Sequence, residues 1–248
     1  MEPPRPPRVQ NAPRPHDGSQ DFPQYPQAGI LSPSSQVSNR SLAARDTITC
    51  RLATDARLVS TSSMQRCVAF LGGINLGRRR VAMQDLKKIV EEAGLEDVST
   101  FIASGNVIFR AGRRSAEAVE GLLEKQLHAR LGYVVPTFVR REEEICAMLE
   151  ARPFRTVEAK NTFSIILCKD AVPAAAKRTL TSFTTPPDQF HVDGREIYWL
   201  TQAGISDSTV WTRPEIKSLK LPPSTMRNRN TLERLAQKYQ FGTRTRST

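Results

Sequence analysis

The feature that most constrains the fold is a series of apolar and amphipathic segments that runs twice along the chain. The first copy has an apolar run at 66–73, an amphipathic segment at 83–93, and two apolar runs on either side of a Ser-Gly-Asn turn at 104–106. Because glycine and asparagine tolerate the positive φ of tight turns, this pattern predicts a strand, a helix and a β-hairpin. An amphipathic segment after Ser115 and an apolar run at 133–140 predict a second helix and a fourth strand.

The second copy begins after a short predicted helix at 141–150. An apolar run at 162–168 predicts a strand, and Pro173 suits the first turn of the helix that follows. Two short strands are then predicted on either side of an Asp-Gly turn at 193–194, with helical segments after them. The second series therefore resembles the first in its order of strands and helices.

These two series predict an α+β fold of two tandem ferredoxin-like (split βαβ) units with mostly antiparallel sheets. The first unit spans 64–141 and the second spans 142–248. The second unit ends in a basic helix predicted to begin at Asn230, because Glu233 lies three residues further on, as in a capping box. Two copies of one unit explain the pattern better than one long irregular fold.

Residues 1–63 differ from the rest of the chain. They are rich in proline, glutamine, serine and arginine and have no hydrophobic period. Such a segment cannot bury enough apolar surface to offset the entropy lost on ordering, so a disordered tail is expected. Met64 stands immediately before the first strong strand. The preceding residues are therefore interpreted either as this tail or as an upstream extension from a start codon placed too early.

The charge of the chain is concentrated at its C-terminal end. The formal net charge is +11, and residues 201–248 contain nine basic and three acidic residues. A basic surface attracts anions such as nucleic acid and phosphorylated ligands. The expected partner is therefore an anionic ligand or nucleic acid, although a merely solvated surface would have the same composition.

The cysteines and the hydropathy of the chain narrow the class of protein. Its four cysteines form no C-x-x-C pair and have no histidine at ligand spacing, so neither a metal site nor a cofactor is expected. No apolar stretch approaches the 18 residues of a membrane span, and no secretory signal is recognisable. The expected location is a reducing cytoplasm with free thiols, without membrane association. The sequence leaves the oligomeric state open.

The loop after the first strand shares part of its pattern with a phosphate-binding loop. Gly72 and Gly77 have the G-x-x-x-x-G spacing of a P-loop, between a strand and a helix. A P-loop then needs Lys and Ser/Thr, but Arg78 and Arg79 stand here, so nucleotide hydrolysis of that type is not predicted. A glycine-lined loop with adjacent arginines can still bind an anion, whereas a plain strand-to-helix connection with a self-bonded Asn75 would look the same.

Three short motifs resemble those of the bacterial family known as domain of unknown function 1697. They are LGGINLG at 71–77, ASGNVIF at 103–109 and TMRNRNT at 225–231. The resemblance runs in order from Met64 to about Tyr239. It implies an α+β fold with two ferredoxin-like units, and it implies no activity, because none is assigned to the family. It also supports Met64 as the start of the folded part.

The chain departs from the family pattern at three positions. Gly72 stands where the family usually has arginine, Ala103 replaces glutamine, and Arg229 replaces tryptophan. If the family arginine binds an anion, this chain has lost that group unless Arg78 and its neighbours substitute for it. The aromatic side chain replaced by Arg229 would have stacked on a ligand or packed on the sheet.

The candidate site consists of polar residues at predicted turns, where binding groups on a rigid scaffold are usually found. The ligand-binding hypothesis names Asn75, Arg78, Ser104, Asn106, Arg227, Asn228 and Thr231. A basic face is predicted from Arg213, Lys217, Lys220 and Arg229. The same residue types also stabilise turns and helix caps, so both readings stay open. No residue is predicted to be catalytic, because neither a Ser/His/Asp order nor paired carboxylates are recognisable.

Three functional hypotheses follow. The first is a cytoplasmic binding module for a phosphate-rich or other anionic ligand, including nucleic acid. The second is a small-molecule enzyme of an unrecognised type that uses the Asn/Ser/Arg loop residues. The third is an interaction or oligomerisation protein. A steep salt dependence of binding would favour the first hypothesis, a co-purified metabolite the second, and a concentration-dependent dimer the third.

Overall fold

The computed structural model describes residues 66–75, 80–102, 105–202, 204–205 and 207–242. The predictions for 1–63, and for Arg78 and Ser104 as ligand-binding residues, lie outside these ranges.

The first half of the described chain forms a four-stranded antiparallel sheet with two helices. Its elements are β1 (Arg66–Leu71), α1 (Met83–Glu92), β2 (Glu96–Phe101), β3 (Asn106–Arg110), α2 (Ala116–Leu131) and β4 (Thr137–Arg141). The strand order β2-β3-β1-β4 is that of a ferredoxin-like unit. The fourth strand begins at Thr137 and not at residue 133 as predicted. Pro136 precedes it, and proline has no N–H to donate to the ladder.

The second half repeats this arrangement. After α3 (Glu142–Glu150) come β5 (Thr162–Cys168), α4 (Ala174–Thr181), β6 (Asp188–Asp193), β7 (Glu196–Thr201), a 3₁₀ turn (Val210–Thr212), α5 (Pro214–Lys217), β8 (Ser224–Asn228) and α6 (Arg229–Lys238). The strand order is β6-β7-β5-β8, again antiparallel throughout. The predicted fold class is therefore confirmed, and β8 is a strand that the sequence pattern did not reveal.

The start of α6 differs from the prediction. Asn228 is the N-cap, because its Oδ1 accepts a hydrogen bond of 2.9 Å from the backbone N–H of Asn230. The predicted cap at Asn230 is wrong, since this residue already lies in the first turn of the helix. Glu233 does not form the predicted capping box but pairs with Arg229 one turn earlier, at 2.9 Å.

Alternation along β1 shows how the first sheet separates two apolar layers. Cys67, Ala69 and Leu71 point to the side covered by α1 and α2 and pack in one cluster with them. Val68 and Phe70 point to the opposite side and belong to a second cluster. This period of two is what an antiparallel sheet buried on both faces requires.

The second apolar cluster is shared by the two halves. It joins Val68 and Phe70 of the first sheet to Ile165 and Leu167 of the second, and the apolar faces of α3 and α6 contribute to it, for example through Ile145. A third cluster lies on the other side of the second sheet, beneath α4 and α5. The two halves thus bury part of their apolar surface against each other, while their division at 141/142 into separate domains stays a prediction.

The edge strand of the first sheet is protected by helix α2. The Thr137 N–H donates to Glu124 at 3.0 Å, and the Val139 N–H donates to the buried Glu120 at 2.7 Å. Lys169 pairs with both carboxylates and donates to the Thr137 carbonyl at 3.1 Å. Backbone groups that would otherwise be open to another strand are therefore occupied by side chains.

Candidate functional site

The three motifs of the sequence meet at the side chain of Arg227, which lies on β8 and is 9% exposed. Its Nε donates to Oδ1 of Asn106 on β3 at 2.7 Å, and a terminal nitrogen donates to the Leu71 carbonyl on β1 at 3.1 Å. The other terminal nitrogen donates to the Thr225 hydroxyl at 2.9 Å and to the Met226 carbonyl at 2.8 Å. One guanidinium therefore links the second sheet to two strands of the first.

The hairpin turn packs directly against the loop that follows β1. The Leu71 N–H donates to the Gly105 carbonyl at 2.8 Å, and Asn106 is fully buried and donates to the Phe101 carbonyl at 3.1 Å. Gly105 has φ +72°, and a Cβ on it would stand 2.8 Å from a methyl group of Ile74. Only glycine fits this position, because both the backbone conformation and the contact exclude a side chain.

Burial lowers the pKa of Arg227 to about 10, so this side chain remains a cation at neutral pH. Its guanidinium lies 5.5 Å from the centre of the Phe70 ring. Arg227 and Asn106, both in the predicted ligand-binding set, therefore hydrogen-bond to each other inside the molecule. Their described contacts hold the two halves together and leave little of either side chain exposed.

Other members of the predicted set stabilise turns. Oδ1 of Asn75 accepts from the Val81 N–H at 2.9 Å, and its carbonyl accepts from Arg80 at 3.2 Å, so this residue closes the loop before α1. Asn228 caps α6, and Thr231 lies partly exposed in the first turn of that helix. Ligand binding by these residues stays a prediction.

The predicted basic face is distributed over two sides of the second sheet. Arg213, Lys217 and Lys220 are exposed at α5, and the Arg213 guanidinium lies 5.2 Å from the centre of the Phe183 ring. Phe183 packs against the cluster beneath α4 and α5, which is the outer side of this sheet.

Arg229 contacts the opposite side of the same sheet. It donates to the carbonyls of Leu149 and Ala151 at the end of α3, and its guanidinium lies 5.0 Å from the centre of the Phe163 ring. Phe163 belongs to the shared cluster. The described contacts therefore do not join Arg229 to the three cations of α5.

A cavity of about 560 Å³ lies between the loop that connects α3 to β5 and the N-terminus of α6. Three cationic side chains line it, those of Arg152, Lys160 and Arg229. Phe154 and Phe163 contribute aromatic surface, with their rings edge to face and 5.2 Å between centres. We call this space the α6 cavity. It combines cations with an aromatic wall.

The polar groups that line the α6 cavity differ in whether they have a hydrogen-bond or salt-bridge partner. Lys160 pairs with Glu158 at 3.0 Å, and Arg229 pairs with Glu233 at 2.9 Å. Asn161 has a buried Oδ1 without a hydrogen-bond partner in the described part of the chain. A buried acceptor without a donor costs free energy, so this oxygen is an unsatisfied polar group beside the cavity.

Sequence reasoning did not select the side chains that the α3–β5 loop contributes to this cavity. The signal was present in the segment RPFRTVEAKN at 152–161, where three cations and one phenylalanine lie between two regular elements. Such a segment is also typical of an ordinary surface loop. Only the tertiary structure shows that it faces the start of a helix almost 70 residues later.

Within the described residues, no group of three or more His, Cys, Asp or Glu side chains is arranged to hold a metal ion. In the same ranges, no helix has the length and apolar character needed to cross a bilayer. The cysteines that lie on strands are buried thiols. Burial raises the pKa of Cys67 to about 11 and that of Cys168 to about 12.

Comparisons with known proteins agree with this fold. One solved structure, that of the conserved bacterial protein SP0830 from Streptococcus pneumoniae, is 22% identical, with a TM-score of 0.56, over 72% of this chain and 99% of that one. At this identity the likeness shows the fold alone. No curated protein matches the sequence. The model of the family described as "Protein of unknown function (DUF1697)" matches residues 64–198, which is more than half of the chain, and the protein therefore belongs to this family.

Proposed function

We propose that this protein binds a small phosphorylated ligand with an aromatic ring, of the nucleotide class, in the α6 cavity. The observation that carries the proposal is the lining of the cavity, where Arg152, Lys160 and Arg229 surround the aromatic surface of Phe154 and Phe163. Small-molecule sites are typically concave, partly apolar and supplied with a few oriented polar groups. The volume of about 560 Å³ lies within the usual range for such sites.

Arg152 and Lys160 would bind the phosphate, because the three guanidinium nitrogens of Arg229 already donate to Glu233 and to the carbonyls of Ala151 and Leu149. A guanidinium group can donate two hydrogen bonds to phosphate oxygens, and Lys160, whose ammonium group lies 3.0 Å from Glu158, adds a positive charge. The N-terminus of α6 contributes Asn228, Arg229 and Asn230 to the lining, and the amide dipoles of a helix favour negative charge at this end. Three cations face the two carboxylates of Glu158 and Glu233 in the lining, so the balance of side-chain charge is positive.

The aromatic wall and Asn161 would select the rest of the ligand. A planar base can pack against Phe154, whose ring is partly exposed. Asn161 also lines the cavity, and its amide can hydrogen-bond an amino or hydroxyl group of the ligand. A ligand with phosphate, ring and donor together is therefore expected to bind better than any one of these parts.

Isothermal titration calorimetry with adenosine diphosphate, pyrophosphate and adenosine tests the proposal. We expect adenosine diphosphate to bind more tightly than pyrophosphate or adenosine. Arg152→Gln and Lys160→Gln should each weaken its binding by about tenfold, because a hydrogen bond to a charged group contributes about 1.5–3 kcal/mol. Arg113→Gln, an exposed arginine before α2 that is not among the cavity-lining residues, is the matched control. No heat with any of the three probes would refute the proposal.

A further inference from the structure

The outer helical layers of the two halves differ in exposed charge. In the first unit, α1 and α2 expose four basic and four acidic residues, while Glu120 and Glu124 are at least partly buried and pair with Lys169. In the second unit, α4 and the segment 213–220 around α5 contain five basic residues and one acidic residue, Glu215. Since the two layers occupy the same place in a repeated fold, this difference does not follow from the architecture.

The cations of the second layer also differ from those of the first layer in their salt bridges. Its five basic side chains are Lys177, Arg178, Arg213, Lys217 and Lys220, which we call the α4–α5 surface. All five residues are exposed, and within the described part of the chain none forms a salt bridge.

In the first layer, by contrast, two of the four cations have acidic partners, because Lys87 pairs with Glu91 at 3.6 Å and Arg130 pairs with Glu92 at 3.5 Å. Acidic groups among the cations of an exposed layer weaken its attraction for a polyanion. A layer whose cations lack such partners has its charges available for phosphates.

The helices that carry these cations are also packed firmly on the sheet. Ala176 and Leu180 of α4 and Ile216 of α5 are buried in the same apolar cluster, so the two helices are fixed side by side on the sheet. Arg213 is held over the ring of Phe183. Backbone phosphates can therefore bind without first ordering a flexible segment, which lowers the entropic cost of binding.

We infer that the α4–α5 surface binds the sugar-phosphate backbone of double-stranded nucleic acid without reading its sequence. Phosphate contacts from lysine and arginine supply affinity but no base specificity. Among the described residues of this layer, the two aromatic side chains Phe183 and Trp211 pack against the apolar cluster, so stacking on unpaired bases is not expected. The inference concerns a surface separate from the α6 cavity.

Fluorescence anisotropy with a labelled DNA duplex of about 25 base pairs, at several salt concentrations, tests this inference. Each phosphate contact contributes about −0.9 to the slope of log affinity against log salt, so five contacts predict a slope of about −4.5. The variant Lys177→Gln/Arg178→Gln/Lys217→Gln/Lys220→Gln should flatten the slope by up to about 3.6, with an unchanged melting temperature.

The matched control neutralises the same number of charges on the first layer, as Lys87→Gln/Lys88→Gln/Lys125→Gln/Arg130→Gln. We expect this variant to keep the slope of the unmodified protein. An equal flattening of the slope in both variants would show that only the net charge of the protein matters. An unchanged slope in the α4–α5 variant would show that this surface does not bind the duplex. Tighter binding to phosphatidylserine vesicles than to the duplex would overturn the inference in favour of a membrane. The cavity variants Arg152→Gln and Lys160→Gln leave these cations in place, so the two proposals can fail separately.

Discussion

Arg227 donates from Nε to Oδ1 of Asn106 at 2.7 Å and so joins residues 121 positions apart in the sequence. The two side chains belong to different sheets, and both are buried. A charged donor and an amide acceptor in this position are matched in geometry, so loss of either leaves the other without its partner in a region of low dielectric.

Replacing Arg227 with methionine should lower the free energy of unfolding by about 3 kcal/mol. The substitution removes the hydrogen bonds that Arg227 donates to Asn106 Oδ1 and to the Leu71 carbonyl, and losing a charged donor at a buried acceptor costs about 1–3 kcal/mol. Arg213→Met is the matched control, because that arginine is exposed and should change stability by less than about 0.5 kcal/mol. Urea denaturation of both variants measures the difference, and equal stabilities would show that the guanidinium is not a structural link.

Gly105→Ala should destabilise the protein by about 2–3 kcal/mol more than Gly112→Ala. Both glycines have positive φ, +72° and +61°, so both substitutions incur a similar backbone cost. Only at Gly105 would the new methyl group also meet Ile74 at 2.8 Å and Leu71 at 3.1 Å, whereas Gly112 has open space. The difference in melting temperature between the two variants measures the cost of the steric contact at Gly105. Similar melting temperatures would mean that the hairpin can move away from β1.

Glu120→Ala should lower the free energy of unfolding by about 2–4 kcal/mol. Glu120 is 2% exposed, accepts from the Val139 N–H and pairs with Lys169, and removing one partner of such a pair leaves the other uncompensated. Glu117→Ala, one turn earlier on the same helix but exposed, should cost less than about 1 kcal/mol. Because the variant opens an edge strand, size-exclusion chromatography should also show more aggregate. A variant as stable and monodisperse as Glu117→Ala would contradict this account.

Stability should fall as the pH rises from about 8 to 10. Burial raises the pKa of Cys67 from 9.0 to about 11 and that of Cys168 from 9.0 to about 12. Between these values the unfolded chain loses protons that the folded chain keeps, so the unfolded state is favoured as pH increases. The two thiols together should cost about 3 kcal/mol at pH 10. Urea denaturation at each pH measures the slope, and Cys168→Ala should flatten it. A stability that does not change up to pH 10 would contradict the burial of these thiols.

The parts of the fold that the sequence predicts are those in which apolar side chains carry the pattern. Strand β5, with the sequence TFSIILC, has the predicted bounds of 162–168, because five of its seven side chains are apolar and buried. Strand β8, with the sequence STMRN, lacks this apolar pattern, because its inward-facing side chains are Thr225 and Arg227. A polar strand can be buried only when hydrogen-bond partners reach it from elsewhere, and those partners are 121 and 156 residues away.

The candidate site shows the same limit. Asn106 and Arg227 were selected for their residue types, yet their partnership depends on the packing of two sheets that no local pattern describes. The aromatic wall of the α6 cavity forms in the same way, since Phe154 in a loop meets Phe163 on a strand. Turn and cap chemistry, by contrast, acts over a few residues. The amide of Asn75 therefore closes its loop as residue type alone suggests.

The arginine on β8 has a consequence for how this strand aligns with β5. Arg227 stands opposite Ile165 and faces the first sheet, whereas Met226 faces the cluster beneath α4 and α5. A slip of one residue would exchange these two faces, placing the cation among apolar side chains without Asn106 and the thioether against the amide. The misaligned strand would thus bury a charge with none of its acceptors. Arg227 therefore fixes the register of β8 against β5. The free-energy cost of desolvating its charge is offset by hydrogen bonds in one alignment of the strand and is not offset in the neighbouring alignments.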